Sequence, residues 1–157
     1  MLKKNVLKII ASLIAVPVFG MILLNVAFLL DALYQSVVRT CVGFFIPLGP
    51  DMKIYWFPPL MHISYLVIIL VITFFVFRSK LAAIYKAIFM IVPLAAIFVT
   101  MGMFLYQWPY AVYSVGGMVF TGVIYMLYKT KKPWIYFYSA AFIGAIMLMV
   151  QLLGVEI

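Results

Sequence analysis

The side chains of this sequence best suited to acid–base or metal chemistry are the carboxylates Asp31, Asp51 and Glu156 and the single imidazole, His62. General acid–base catalysis needs at least two such groups held together, and a metal centre usually needs three protein ligands. The chain has no paired acidic motif, no HExxH, no glycine-rich phosphate loop and no nucleophile elbow. One local order stands out. Asp31, Gln35 and Arg39 recur at every fourth position, which puts them in one row on a helix.

With Tyr34, Asp51, Tyr55, Trp56, His62 and Gln107, that row is expected near the outer boundary of a membrane. There it could line an outward-facing pocket or hold a lipid headgroup. The plainer alternative is a set of solvated helix ends, with Asp31 and Arg39 anchoring the interface and His62 as an interfacial hydrogen bonder. No catalytic residue, metal ligand or cofactor is expected. Cys41, the only cysteine, excludes an internal disulfide and a cysteine-based metal cluster, and reads as a small packing residue.

The elements that carry these residues follow from composition. At 69% hydrophobic and 9% charged the chain cannot be an ordinary soluble domain, which is about a quarter charged. Apolar stretches run over approximately 9–30, 61–77, 81–106, 110–128 and 134–154. At about 1.5 Å rise per residue each can cross or nearly cross a hydrocarbon core roughly 30 Å thick. The fold class predicted is therefore all-α: a polytopic integral membrane bundle of five transmembrane helices, one domain over 1–157. The first stretch follows Lys3, Lys4 and Lys8 as a signal peptide would, but it is long and lacks a convincing cleavage site, so it is expected to stay as a span.

Orientation is written in the basic residues. Lys3, Lys4 and Lys8, then Arg78, Lys80 and Lys86, then Lys129, Lys131 and Lys132 fall on one side if every stretch crosses once. The other side keeps only Arg39 and Lys53. Basic residues are retained in the cytoplasm during insertion, so the N-terminus is expected inside and the C-terminus outside, in a bacterial or archaeal cytoplasmic membrane. The net charge of +8 is thus a topology signal facing anionic headgroups, and nucleic acid is not an expected partner. Aromatic residues agree: Trp56, Tyr106, Trp108 and Tyr110 at the outer level, Tyr85, Tyr128, Trp134 and Tyr136 at the inner.

Between the first two spans lies an outer segment, 31–60, read as interfacial or re-entrant. After Leu30 the first helix has two courses open, to continue outward or to turn along the interface. Pro47, Gly49 and Pro50 end it in either case. Pro17 and Pro93 predict bends in spans one and three, and Asn25 is expected to find a partner on a neighbouring helix. On span four, Ser114, Gly117 and Thr121 share a face of small residues; on span five, Ala140 and Gly144 stand four apart. These faces are expected to meet each other, or to form a homodimer interface.

For function, the absence of catalytic motifs and the abundance of helix surface suit a non-enzymatic membrane subunit or accessory protein. It would pack with lipids and with a partner membrane protein or a second copy. A small transporter or binding component for an apolar or amphipathic solute is the alternative, and a lipid-modifying enzyme using Asp31, Asp51 or His62 a third.

Overall fold

Nothing between Leu2 and Phe45 forces the chain out of a helix: the row of Asp31, Gln35 and Arg39 is helical spacing, and Pro17 is accommodated within an unbroken run. The computed structural model accordingly has α1 as one helix, Leu2–Phe45, of 44 residues. It is followed by α2 (Phe57–Arg78), α3 (Ala83–Leu105), α4 (Pro109–Lys129) and α5 (Trp134–Leu152). The structure describes residues 2–45 and 57–153, with backbone alone for 2–6, 8 and 57. All five helices are long and apolar enough to cross a membrane.

Of the two courses open after Leu30, the outward continuation is the one observed. Segment 31–60 divides accordingly: 31–45 prolongs α1, 57–60 opens α2, and 46–56 lies outside the described residues. Helix α2 starts at Phe57 because Pro58 and Pro59 fall in its first turn, where a missing N–H leaves no bond unmade. Pro109 occupies the same position in α4, as its place after Gln107 and Trp108 predicts.

Helix α3 is the hub. It packs against each of the other four helices, and Ala87, Ile88 and the unbroken run Met90–Ala95 are buried. Its closest approach is to α1, where a Cβ at Gly20 would overlap the Cδ1 of the fully buried Ile91. Glycine at position 20 leaves that space to the Ile91 side chain. Helix α5 closes the other flank with Ala140 and Ile143, both wholly buried.

The turns fix the order of the helices around α3. Lys86 donates its ammonium to the carbonyls of Phe77 (2.8 Å) and Ser79 (2.7 Å), capping the C-terminal end of α2 from the first turn of α3. After α4, Lys132 N–H bonds Leu127 O (3.1 Å) and Lys131 N–H bonds Tyr128 O (3.0 Å). Lys131 itself sits at φ 48°, so the helix ends in a Schellman motif with lysine where glycine is usual. The Tyr138 hydroxyl, near the start of α5, reaches Leu13 O at 3.1 Å, and the Phe77 and Tyr136 rings meet with centroids 6.0 Å apart. The basic turns therefore gather at the end of the bundle where α1 begins.

The exterior is lipid-facing in character. Accessible surface is 11120 Å², against about 8,000 Å² expected for a compact soluble chain of 17.9 kDa. Most of the expected aromatic belt is exposed, including Tyr85, Trp108, Tyr110, Tyr128 and Trp134. Tyr136 departs from it: buried against Phe77 and under the Lys132 ammonium, it belongs to the core. Asn25 also differs from expectation. Its amide donates to Met21 O at 2.8 Å within its own helix, which satisfies a polar group on an exposed face without a neighbour.

Candidate functional site

Three residues of the predicted outer group converge. On α1, Asp31 and Gln35 lie one turn apart on the side turned to α2, and the Gln35 amide donates to Asp31 Oδ2 at 3.0 Å. On α2, His62 stands with Nε2 3.3 Å from the same Gln35 nitrogen and Nδ1 3.4 Å from Asp31 Oδ2. The last distance is longer than a well-formed hydrogen bond.

Donor counting favours one arrangement. With the Gln35 amide nitrogen toward Oδ2, its two hydrogens can serve Asp31 Oδ2 and His62 Nε2, and a ring hydrogen on Nδ1 then faces Asp31.

Two further bonds clamp α1 to α2 around this group. Tyr65 donates to Ala27 O, and Tyr34 meets Ser64 Oγ at 2.8 Å. Since Ser64 spends its one hydrogen on Met61 O at 2.8 Å, Tyr34 is the donor in that pair. The two tyrosine rings lie 5.8 Å apart. Interhelical hydrogen bonds in a membrane contribute about 0.6 kcal/mol each on average and up to about 1.7.

Asp31 is the deepest member, 9% exposed, and its Oδ1 has less than 1 Å² accessible and no hydrogen-bond partner. Beside it is a cavity of about 30 Å³ bounded by α1, α2 and α3. Asp31, His62, Tyr65 and Thr100 bring polar atoms to its lining; Leu24, Phe28, Ile69 and Val92 are among the apolar remainder.

The other predicted residues stand apart from this group. Arg39 is exposed on α1, two turns beyond Asp31. Gln107 is exposed in the α3–α4 turn, where its amide bonds the Tyr106 hydroxyl at 2.9 Å. Asp51, Tyr55 and Trp56 lie outside the described residues. Sequence reasoning did not select Tyr65 or Thr100. Tyr65 had a readable sign, a tyrosine three residues after His62 and so on the same face of α2; Thr100, in an otherwise apolar stretch, had none. Among the described residues, no three His, Cys, Asp or Glu side chains come together.

A second feature lies at the far end of the bundle from the basic turns. The halves of α3, α4 and α5 at that end spread around a cleft of about 1180 Å³, lined largely by apolar groups such as Met101, Val112, Phe120 and Met147, with Tyr113 and Gln151. It opens because α4 is held at its other end: Leu127 is the one buried residue described on that helix. Around Gly116, Gly117 and Gly122 nothing lies within 4 Å of where a Cβ would stand.

The small-residue faces are placed as follows. Ser114, Gly117 and Thr121 are exposed, and the two hydroxyls donate to Tyr110 O and Gly117 O of their own helix. Ala140 is buried, and Gly144 is half-buried against the ring of Phe120, 2.8 Å from where a Cβ would sit. The α4–α5 approach thus rests on Phe120 over Gly144 and not on the row of Ser114, Gly117 and Thr121, whose side of α4 is open. Comparison with known protein families, with curated proteins and with solved structures finds no match to this chain.

Proposed function

We propose that the protein is a non-enzymatic integral membrane subunit that seats a transmembrane helix of a partner membrane protein against α4, in the cytoplasmic membrane of a bacterium or archaeon. The observation that carries this reading is the open side of α4. Its glycines have no neighbours, and the cleft beside them would hold about two turns of a helix with its side chains. In lipid there is no hydrophobic force to join helices, so close backbone approach over small residues is what holds them. Gly116, Gly117 and Thr121 offer that approach to an outside helix, while the other four helices are already joined through α3.

The test is purification of the full chain from its native membrane in mild detergent. A stoichiometric membrane protein should accompany the wild type and be lost from Gly117→Leu, whose side chain enters open space in the isolated chain and leaves its fold intact. A wild-type chain that is reproducibly alone and monodisperse at its own mass would overturn the reading.

The cleft also gives support to a second reading, a binding or transport component for an amphipathic solute. Its volume of about 1180 Å³ exceeds the usual range of small-molecule sites, about 300–1,000 Å³, and its lining is apolar with a few polar groups. Native mass spectrometry separates the two, since a retained lipid-sized molecule in a chain without protein partner favours the solute.

A further inference from the structure

We infer that Asp31 is a proton-binding site served by water held in the cavity between α1, α2 and α3, independently of what occupies the cleft beside α4. Size narrows the ligand first. A water needs about 10–15 Å³ of cavity by this measure, so about 30 Å³ has room for one or two. The position narrows it next. Oδ2 has Gln35 as donor and His62 beside it, but Oδ1 is buried with no donor at all. An ionised oxygen left so is costly in an apolar setting, and two remedies exist: a donor from the cavity, or a proton of its own.

Both remedies come from the same water. In the ionised state the water donates to Oδ1. In the protonated state a hydronium oxygen–hydrogen bond breaks, the Oδ1–H bond forms, and a neutral water remains to accept from it. Tyr65 and Thr100 fit this role, because each hydroxyl donates to a backbone carbonyl, Ala27 O and Ala96 O, and keeps lone pairs for a cavity water.

The charged and titratable surroundings are few. From α1 the group is met by Gln35; from α2 by His62 and Tyr65; from α3 the lining is Val92, Ala96, Val99 and Thr100, none of them titratable. Helices α4 and α5 contribute nothing to the lining. Oxygen ligands from Asp31, Tyr65 and Thr100 are fewer than the six to eight that calcium takes, which favours a proton over a hard cation.

The sequence makes the measurement direct. Asp31 and Asp51 are the only aspartates, so Asp51→Asn leaves Asp31 as the single aspartate. The full chain with this substitution, labelled at the aspartate carboxyl carbon and held in phosphatidylethanolamine–phosphatidylglycerol nanodiscs, should show one carboxyl resonance in contact with slowly exchanging water by NMR. On acidification that resonance should pass from carboxylate to carboxylic acid in one step, unchanged when sodium replaces choline in the buffer. Ala96→Leu, which fills the cavity, should remove the water contact and slow proton exchange at Asp31 by an order of magnitude; Thr100→Val, smaller in its effect, covers the case in which the leucine variant does not fold. A dry carboxylate that keeps one resonance throughout, or titration untouched by filling the cavity, overturns the inference. Displacement of the proton by sodium at constant pH overturns it in favour of a cation site.

Discussion

The amide nitrogen of Gln35 on α1 lies 3.3 Å from Nε2 of His62 on α2, and the same nitrogen holds Asp31. One glutamine therefore contacts both the imidazole and the carboxylate. Gln35→Ala removes the donor from two partly buried acceptors together, and leaving a buried polar group unmatched costs about 1–3 kcal/mol, less where water can reach it. Thermal unfolding of the detergent-solubilised chain should show a clear loss for Gln35→Ala and a smaller one for Gln35→Glu, which keeps the length but turns a donor into an acceptor facing Asp31 only when ionised. The loss for Gln35→Glu should be small at acid pH, where its carboxyl still donates, and should grow as the pH rises and two carboxyl groups face each other as acceptors.

Tyr65→Phe tests the clamp from the other helix. It deletes only the bond to Ala27 O, leaving the ring against Tyr34. The expected cost is about 0.6–1.7 kcal/mol of bundle stability. Steric trapping or reversible unfolding in mixed micelles measures it; an unchanged stability would mean the hydroxyl finds an equal partner elsewhere.

Glycine substitutions should divide sharply by position. Gly20→Ala pushes a methyl into Ile91, which is wholly buried and has nowhere to go, and overpacking of this kind costs about 1–3 kcal/mol. Gly102→Ala, with nothing within 4 Å, should leave the melting temperature unchanged or slightly raised, since alanine favours helix by about 1 kcal/mol. Differential scanning fluorimetry should therefore show a lowered midpoint for Gly20→Ala and no lowering for Gly102→Ala.

Lys131→Gly should stabilise the α4–α5 turn. Lysine at φ 48° carries a strain of about 1–2 kcal/mol that glycine does not. The gain is read as a raised unfolding midpoint, and Lys131→Val, branched at Cβ, should lower it.

Orientation is tested by labelling. Cysteines placed at Gln107 and at Thr130, in a Cys41-free background, should react with an impermeant reagent from outside and only after cell opening, respectively. The reverse pattern would invert the assignment drawn from the basic clusters.

The helices were legible because lipid demands long apolar runs, and the turns because Pro109 and Pro133 stop and restart them. What the helices show one another was harder to read. In a soluble protein the inward face of a helix is marked by contrast with a polar outward face; in lipid both faces are apolar, and the periodic sign fades. So α3, buried on most sides, and α4, buried at one residue, look alike as sequences of aliphatic and small residues. Asp31 and Gln35 were paired by their spacing of four. His62 joins them only through the start of α2, whose first turn holds Pro58 and Pro59. Tyr136 was assigned by residue type to the interface and is core because Phe77, from another helix, covers it.

Helix α1 is about 66 Å long at 1.5 Å per residue, twice the thickness of the hydrocarbon it crosses. No joint interrupts it between Asp31 and Phe45, a stretch of roughly 21 Å, and Phe44 and Phe45 stand almost fully exposed at its tip. Asp31, Gln35 and the exposed end at Phe45 therefore belong to one rigid rod, and any turn of that rod about its axis moves the carboxylate and the amide together past His62 on α2.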